Sequence, residues 1–480
     1  MAAPTPAVPP ALPADFLREL RAALGDALRT DPGECLGYSY DNSKLQALPQ
    51  AVALVADAAQ VQALVRACRK HKVPLTARGR GTNTTGASIP LAGGVVVSFE
   101  RMQRILAIAP DDRLAVVEPG VLNGTLQQAL APHRFFWGSE PTSAPYSSIG
   151  GNLACNAGGP RSVKYGSARD NVLGLCAVTG AGELIRCGAP TSKDSTGFDL
   201  TRLLVGSEGR LALIVEATLK LTPLPALVRT LRALYRDVDA AAAAVARIMA
   251  QPVTPCALEF MDASAVRLAR ERGGADLPDA GALLMVEVDG DADSIDAALA
   301  AVRRAADGEG VLDLTLAADD AARERLWAAR RALSPALRSL AAGKINEDVV
   351  VPVSRLPQLV ARVSALAQRH GVLNVNFGHA GNGNLHVNLL FDPDDAAAVQ
   401  RAHACLADVF ALVLELGGTL SGEHGIGVAK RDWMARAFDA DTLAVMRRVA
   451  AAFDPDGILN PGKVLPDATP VADSAHGNLF

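Results

Sequence analysis

Arg78-Gly79-Arg80-Gly81-Thr82-Asn83-Thr84-Thr85-Gly86 follows an apolar run and poses the fold question directly. Its glycines leave backbone N–H groups unshielded by a Cβ, and hydroxyls are interleaved with them, so the stretch can form a nest that wraps a pyrophosphate. No Gly-Lys-Ser/Thr follows, which excludes a Walker loop, and it is not a Gly-x-Gly-x-x-Gly opening the helix of a dinucleotide-binding unit. Two further turns of the same character lie downstream: Pro141-Thr142-Ser143 with Ile149-Gly150-Gly151-Asn152 and Asn156-Ala157-Gly158-Gly159, then Gly206-Ser207-Glu208-Gly209. Any one of them alone is more often a tight turn than a ligand loop. Three in one zone, each rich in glycine and in hydroxyl or amide groups, point to an extended nucleotide.

The zone that holds them, about 50 to 223, alternates short Val/Leu/Ile runs such as Gly93–Ser98 and Leu114–Gly120 with Gly-rich turns, and reads as many short strands with few helices. After the Thr222-Pro223-Leu224-Pro225 break the pattern becomes strand followed by long Ala/Arg helix. Ala257–Phe260, Leu283–Val288 and then Ser294–Ala306 show it, and an α+β second domain is expected. The expected division is a tail at 1–14, a first domain at 15–223, a second at 224–440, a C-terminal return at 441–467 and a tail at 468–480.

At 480 residues the chain exceeds one ordinary core, and 49% hydrophobic residues with 42 Gly and 29 Pro fit a loop-rich, multi-domain protein. The 47 basic and 51 acidic residues are nearly balanced and scattered, so no nucleic-acid footprint appears. Seven cysteines without a Cys-x-x-Cys pair argue against an iron–sulfur cluster or a Cys-rich zinc site and fit a reducing cytosol. The Pro-broken N-terminus lacks a basic n-region, and by the sequence no apolar run reaches membrane-spanning length. The expectation is a cytoplasmic protein, with attachment to the periphery of the inner membrane left open.

The second zone carries the chemistry. Phe377-Gly378-His379-Ala380-Gly381-Asn382-Gly383-Asn384-Leu385-His386-Val387-Asn388 alternates like two strands around a Gly/Asn turn, and Ser421-Gly422-Glu423-His424-Gly425 follows. In a hairpin, His379 and His386 would face each other at about 5 Å between Cβ atoms. Two imidazoles that close can hold one divalent cation, with Glu423 as a hard third ligand and open positions for substrate. Zn²⁺ or Mn²⁺ suits such a donor set. The bland alternative is a pair of ordinary loop histidines satisfied by hydrogen bonds. Asn388, two residues after His386, shares its strand face and is a candidate polar contact.

With these turns in view, residues from about 45 to 466 resemble flavoproteins of the vanillyl-alcohol oxidase / para-cresol methylhydroxylase superfamily. The resemblance is to the branch of D-lactate dehydrogenase, D-2-hydroxyglutarate dehydrogenase and the flavin subunit of glycolate oxidase. It implies an α+β fold with a two-part FAD-binding domain and a cap domain of antiparallel sheet plus helices. It places Arg78, Gly79, Arg80, Gly81, Thr82, Asn83 and Gly86 at the FAD pyrophosphate, and Pro141, Thr142, Ser143, Gly150, Gly151, Asn152, Asn156 and Gly158 along the flavin. Gly206, Glu208, Gly209 and Ile214 fall at the adenine half, and Asn460 in the closing Asn-Pro-Gly-Lys motif. It implies metal and catalysis at the two histidine-bearing turns. Asn382 stands where the family turn usually has Asp, Arg210 and Ala212 replace Thr and Gly, and Thr82 and Asn83 occupy the region where covalent-flavin relatives carry His. The FAD is therefore expected to be non-covalent.

Oxidising a 2-hydroxy acid requires the hydroxyl proton to leave as the Cα hydrogen departs as hydride, and a chelating cation eases the first. His424, beside Glu423, is a candidate base, with a fourth ligand or an outer-sphere role as its alternatives. Arg330, on the Leu326–Arg331 helix, resembles the family arginine for the substrate carboxylate; the alternative is a solvated face of an Arg-rich helix. Relatives that prefer 2-hydroxyglutarate carry Lys-x-Asp before the Pro of the next strand. Here Asn346 takes the lysine position and Lys344 is displaced by two residues, which favours a smaller acid such as D-lactate. Without a cluster or nicotinamide motif, electrons would leave to an electron-transfer flavoprotein, a quinone or a cytochrome. A homodimer stays open. Two other classes also stay open: an electron-transfer subunit without a substrate site, and an FAD-using transferase without net redox.

Overall fold

A computed structural model describes residues 11–272 and 277–467, so most of the two expected tails, 1–10 and 468–480, lies outside the described residues. By contact the chain divides into one unit of 11–157, 167–224 and 423–467 and another of 158–166 and 225–422. The expected boundaries differ in two places. The chain returns to the first unit at Glu423 rather than at 441, and 158–166, which includes Gly158, groups with the second unit.

In the first unit, Ala51–Leu54 and Leu75–Arg78 flank Val95–Ser98 in parallel, with Leu28–Arg29 added antiparallel at the edge. These short Val/Ala runs are almost wholly buried, as strands covered on both faces must be. Between the first two runs the helix Ala58–His71 is capped by Asp57, whose side chain accepts from the amide of Gln60, and it buries Val61, Leu64, Val65 and Cys68 at helical spacing. That helix, with Asn123–Leu130 and Ile149–Cys155, makes the zone richer in helix than its strand-like pattern implied. A second sheet is antiparallel in the order Ile105–Ala109, Leu114–Val117, Ala212–Pro223, Val172–Thr179, Leu184–Gly188, and Phe135–Trp137 pairs with the end of Ala212–Pro223.

The second unit is built on a seven-stranded antiparallel sheet. Its order is Val311–Leu316, Leu227–Tyr235, Ala282–Gly290, Ala257–Asp262, Leu373–His379, Asn384–Phe391, Gly343–Val350. Residues paired across strands point to one face. The register sets Glu259 opposite His379, Met261 opposite Phe377, Phe377 opposite His386, and His386 opposite Asp348. Apolar members of this face, Met261, Met285, Val375, Phe377 and Leu390, pack with Val266 and Leu268 of the helix Ala263–Arg272 and with Leu333 of the helix Asp320–Ala336. A row of polar residues therefore crosses an otherwise apolar layer. Contrary to the expectation from the sequence, the helix Ala396–Glu415 is long and apolar enough to cross a membrane by length and composition. It buries Ala402, Cys405, Val409, Leu412 and Val413 as one stripe, the pattern of a helix packed on its own domain.

Candidate active site

The hairpin forms as the glycines dictate. Leu373–His379 and Asn384–Phe391 are joined by the tight turn Ala380–Asn382, and Gly383 closes it at φ +71°, where an added Cβ would lie 1.9 Å from the carbonyl oxygen of Val351. His386 stands opposite Phe377, so the two histidines are diagonal neighbours rather than the directly facing pair expected. The diagonal still brings them together. Their Nε2 atoms are 3.5 Å apart and the rings meet edge to face at 5.1 Å.

Behind His379, its Nδ1 lies 2.6 Å from Oε1 of Glu259, a side chain with no exposure. Burial works against the Glu259 anion, but the charges and hydrogen bonds of His379 and Arg330 outweigh it and hold the carboxyl below its ordinary range. An ionised carboxylate can only accept, so Nδ1 of His379 carries a proton, and Nε2 is the ring nitrogen turned toward His386. Tetrahedral ligands at 2.0–2.1 Å from a zinc ion are about 3.4 Å from one another. The observed nitrogen separation fits that spacing. Glu423, the third residue of the expected set, follows Gly422 directly in the chain, where the first unit resumes. Gly422 and Ser421 are themselves held by Asp348, whose carboxylate accepts from the Gly422 amide at 2.8 Å and from the Ser421 hydroxyl at 3.2 Å.

Arg330 is not on a solvated face. The helix Asp320–Ala336 turns Arg323, Trp327 and Arg330 toward the sheet: the first two donate to Oε1 of Glu287 at 2.7 and 2.8 Å, and Arg330 Nε donates to Oε2 of Glu259 at 2.8 Å. The guanidinium lies 4.5 Å from the centre of the Phe377 ring. Asn388 is fully buried, with Nδ2 donating to the carbonyl of Val375 at 2.9 Å and Oδ1 accepting from Asn346. Its amide is thus used inside the sheet.

In the first unit the Gly-rich turns divide into two jobs. Arg78 is buried and folds back, donating from Nη1 to Tyr40 O at 2.6 Å, and Gly81 makes room for it, since a Cβ there would stand 2.3 Å from Nη2. Gly79 passes so close to the Ser148 hydroxyl that a Cβ would lie 2.5 Å from it, and at Gly150 one would lie 2.6 Å from Pro119. Asn152 bonds Asn123 and Ser147, Asn156 accepts from Ser167 and Arg169, and Ile214 lies in the sheet core. Gly206 and Gly209 adopt positive φ. Asn460 donates to the carbonyls of Glu208 and Ala87.

Glu208 and Asn83, expected at the cofactor, are also bonded to the segment His424–Gly427. Glu208 accepts from the amides of Ile426 and Gly427 at 2.6 and 2.8 Å, and Asn83 donates to the carbonyl of His424 at 3.0 Å. Burial pushes the Glu208 carboxyl up to about 7 against the pull of those two amides. Arg80, Thr82, Thr142, Ser143, Gly86 and Gly151 take part in none of these anchoring bonds, and Arg80 and Thr142 are exposed. The buried Thr84 hydroxyl has no hydrogen-bond partner among the described residues, an unmet polar atom in the nest that a bound pyrophosphate would meet. The loop 78–86 contains no histidine, so it offers no nucleophile for a flavin linkage.

Two residues beside the candidate site were not singled out from the sequence: Glu259, whose one signal was an acid in the apolar run Ala257-Leu258-Glu259-Phe260-Met261, and Asp348, which holds the Asp position of the Lys-x-Asp motif.

Comparison with known proteins gives the lineage. Residues 49–188 match the family described as FAD binding domain, and residues 224–464 match FAD linked oxidases, C-terminal domain. The chain is 36% identical over 431 residues to the glycolate oxidase subunit GlcD of Bacillus subtilis (strain 168), covering 89% of this chain and 92% of that protein. It is 32% identical over 462 residues to D-lactate dehydrogenase of Anaerostipes hadrus, covering 92% and 94%. The structure of p-cresol methylhydroxylase with substrate bound superposes with a TM-score of 0.80 at 17% identity, covering 97% of this chain and 100% of that one, which establishes the vanillyl-alcohol oxidase / para-cresol methylhydroxylase fold. An FAD-binding domain followed by an antiparallel-sheet cap, with identity of this extent along nearly the whole chain, makes this protein a member of the FAD-linked oxidase family, in its branch of FAD-linked 2-hydroxy-acid oxidoreductases.

Proposed function

We propose that the protein is an FAD-dependent dehydrogenase that oxidises a D-2-hydroxy acid to the 2-oxo acid, with D-lactate favoured over D-2-hydroxyglutarate and glycolate. The observation that carries this reading is the pairing of His379 and His386, whose Nε2 atoms lie 3.5 Å apart, with Glu259 setting the tautomer of the first. When bound, FAD supplies the hydride acceptor and a divalent cation, Zn²⁺ or Mn²⁺, supplies a Lewis acid for the substrate hydroxyl and carboxylate.

The chain's own residues do the rest. His379, His386 and Glu423 hold the cation. Arg330, with Nε committed to Glu259, keeps its Nη edge for the substrate carboxylate. His424 takes the hydroxyl proton, in a turn fixed by Asn83 and Glu208. Asn388 and Asn346 bond each other, so position 346 offers no cation to a distal carboxylate, which supports a short acid. The electrons pass on to an electron-transfer flavoprotein, a quinone or a cytochrome, in a cytoplasmic or membrane-peripheral setting.

Anaerobic stopped-flow mixing with paired D- and L-2-hydroxy acids tests this. D-lactate is expected to bleach the flavin much faster than L-lactate and faster than D-2-hydroxyglutarate. Equal rates for the two hands, or no bleaching by any 2-hydroxy acid, would rule the reading out.

A further inference from the structure

Glu259 lies mid-strand in Ala257–Asp262 with its side chain wholly buried, between Leu258 and Phe260, where an apolar residue would be the ordinary occupant. A carboxylate taken out of water at such a place costs several kcal/mol unless its partners are well placed. Both of its oxygens are used, and they are used on two different groups: Oε1 on Nδ1 of His379 at 2.6 Å and Oε2 on Nε of Arg330 at 2.8 Å. Strand register fixes the first contact, because Glu259 and His379 are directly paired. Helix packing fixes the second, because Arg330 is stacked on Phe377, the residue two before His379. We propose that Glu259 is a positioning residue that couples cation binding to acid binding: one carboxylate orients both the cation ligand His379 and the guanidinium that receives the substrate carboxylate.

This inference rests on the functional reading above and extends it. Its physical content is that neither group keeps its orientation alone. Without an acceptor at Nδ1, His379 is free to carry its proton on Nε2, which removes the lone pair a cation needs. Without an acceptor at Nε, the Arg330 fork is free to rotate off the Phe377 ring, and bidentate geometry is lost. A merely structural ion pair would affect stability but not these two affinities jointly.

The test measures cation affinity by chelator competition, with Zn²⁺ and Mn²⁺ as the probes, and KM for D-lactate at saturating cation, on the full FAD-loaded chain. Glu259→Gln is expected to weaken cation binding by about 10- to 100-fold and to raise KM as well. Arg330→Met is expected to raise KM by at least about tenfold while leaving cation affinity within about threefold of wild type. Should Glu259→Gln fail to fold because it strands the Arg330 charge, the double variant Glu259→Gln/Arg330→Met removes that charge and is expected to show the same loss of cation affinity. Cation affinity within about threefold of wild type in either variant carrying Glu259→Gln overturns the coupling. A wild-type protein that binds neither cation overturns the functional reading itself, and the two failures are thereby told apart.

Discussion

His386 and His424 lie 38 residues apart and are expected to fail in different ways. His386→Ala should lose the cation and more than tenfold in turnover, equivalent to over about 1.4 kcal/mol of barrier, whereas His424→Ala should keep the cation and still turn over slowly. Elemental analysis beside single-turnover flavin reduction separates the two. Normal turnover in His386→Ala would reduce the cluster to a structural hairpin. Glu208 offers a titration instead. Its folded carboxyl, at about 7, lies above the ordinary value of 4.5, so it binds its proton more tightly when folded. The associated stability is present below about pH 4.5 and is lost as pH rises through about 7. Wild type should lose on the order of 3 kcal/mol across that window relative to Glu208→Gln, which lacks the titrating group; parallel pH profiles in urea denaturation would refute this. The histidines were legible because glycines and spacing advertise them locally. The role of Glu208 was not, because its partners Ile426 and Gly427 are 218 and 219 residues away.

Among elements, the hairpin is the one whose geometry the site depends on. Gly383 combines positive φ with backbone contact at the Val351 carbonyl, and neither admits a side chain. Gly383→Ala is expected to destabilise by at least about 2 kcal/mol, the left-handed penalty plus the displacement of Val351. Thermal denaturation should show a fall of several degrees together with weaker cation binding. An unchanged midpoint would mean that the turn relaxes at no cost. The alternation of residues 373–391 announced two strands, yet not their register. A hairpin with one residue more or fewer in its turn would shift the pairing and flip every side chain to the other face. The observed register is set by Phe377, Val375 and Leu390 packing under the helices, and the histidine diagonal follows from it.

For the whole molecule, the two histidines and most of the Gly-rich turns belong to different units, so the cofactor is expected to stay bound when the cation is removed. Chelation should abolish oxidation of the acid while FAD stays bound, and Zn²⁺ or Mn²⁺ should restore it; loss of flavin on chelation would contradict the division. Acid precipitation should release FAD into the supernatant, since the loop 78–86 has no histidine to tether it; flavin in the washed pellet would contradict that.

The sequence by itself determined the local chemistry: where backbone must turn without side chains, where N–H groups are exposed, where two histidines flank a Gly/Asn turn, and which superfamily the order of these turns resembles. Such features depend on φ, ψ and near neighbours, and they are written in consecutive residues. Only the tertiary structure decided that Glu259 stands behind His379 from 120 residues away, and that it divides its carboxylate with Arg330. The same holds for the bonds of Glu208 and Asn83 to the segment His424–Gly427, and for the return of the chain to its first unit at Glu423. These are pairings between distant segments. Their choice depends on which of many compact arrangements packs its apolar faces and satisfies its buried polar atoms together, and no local pattern records that sum.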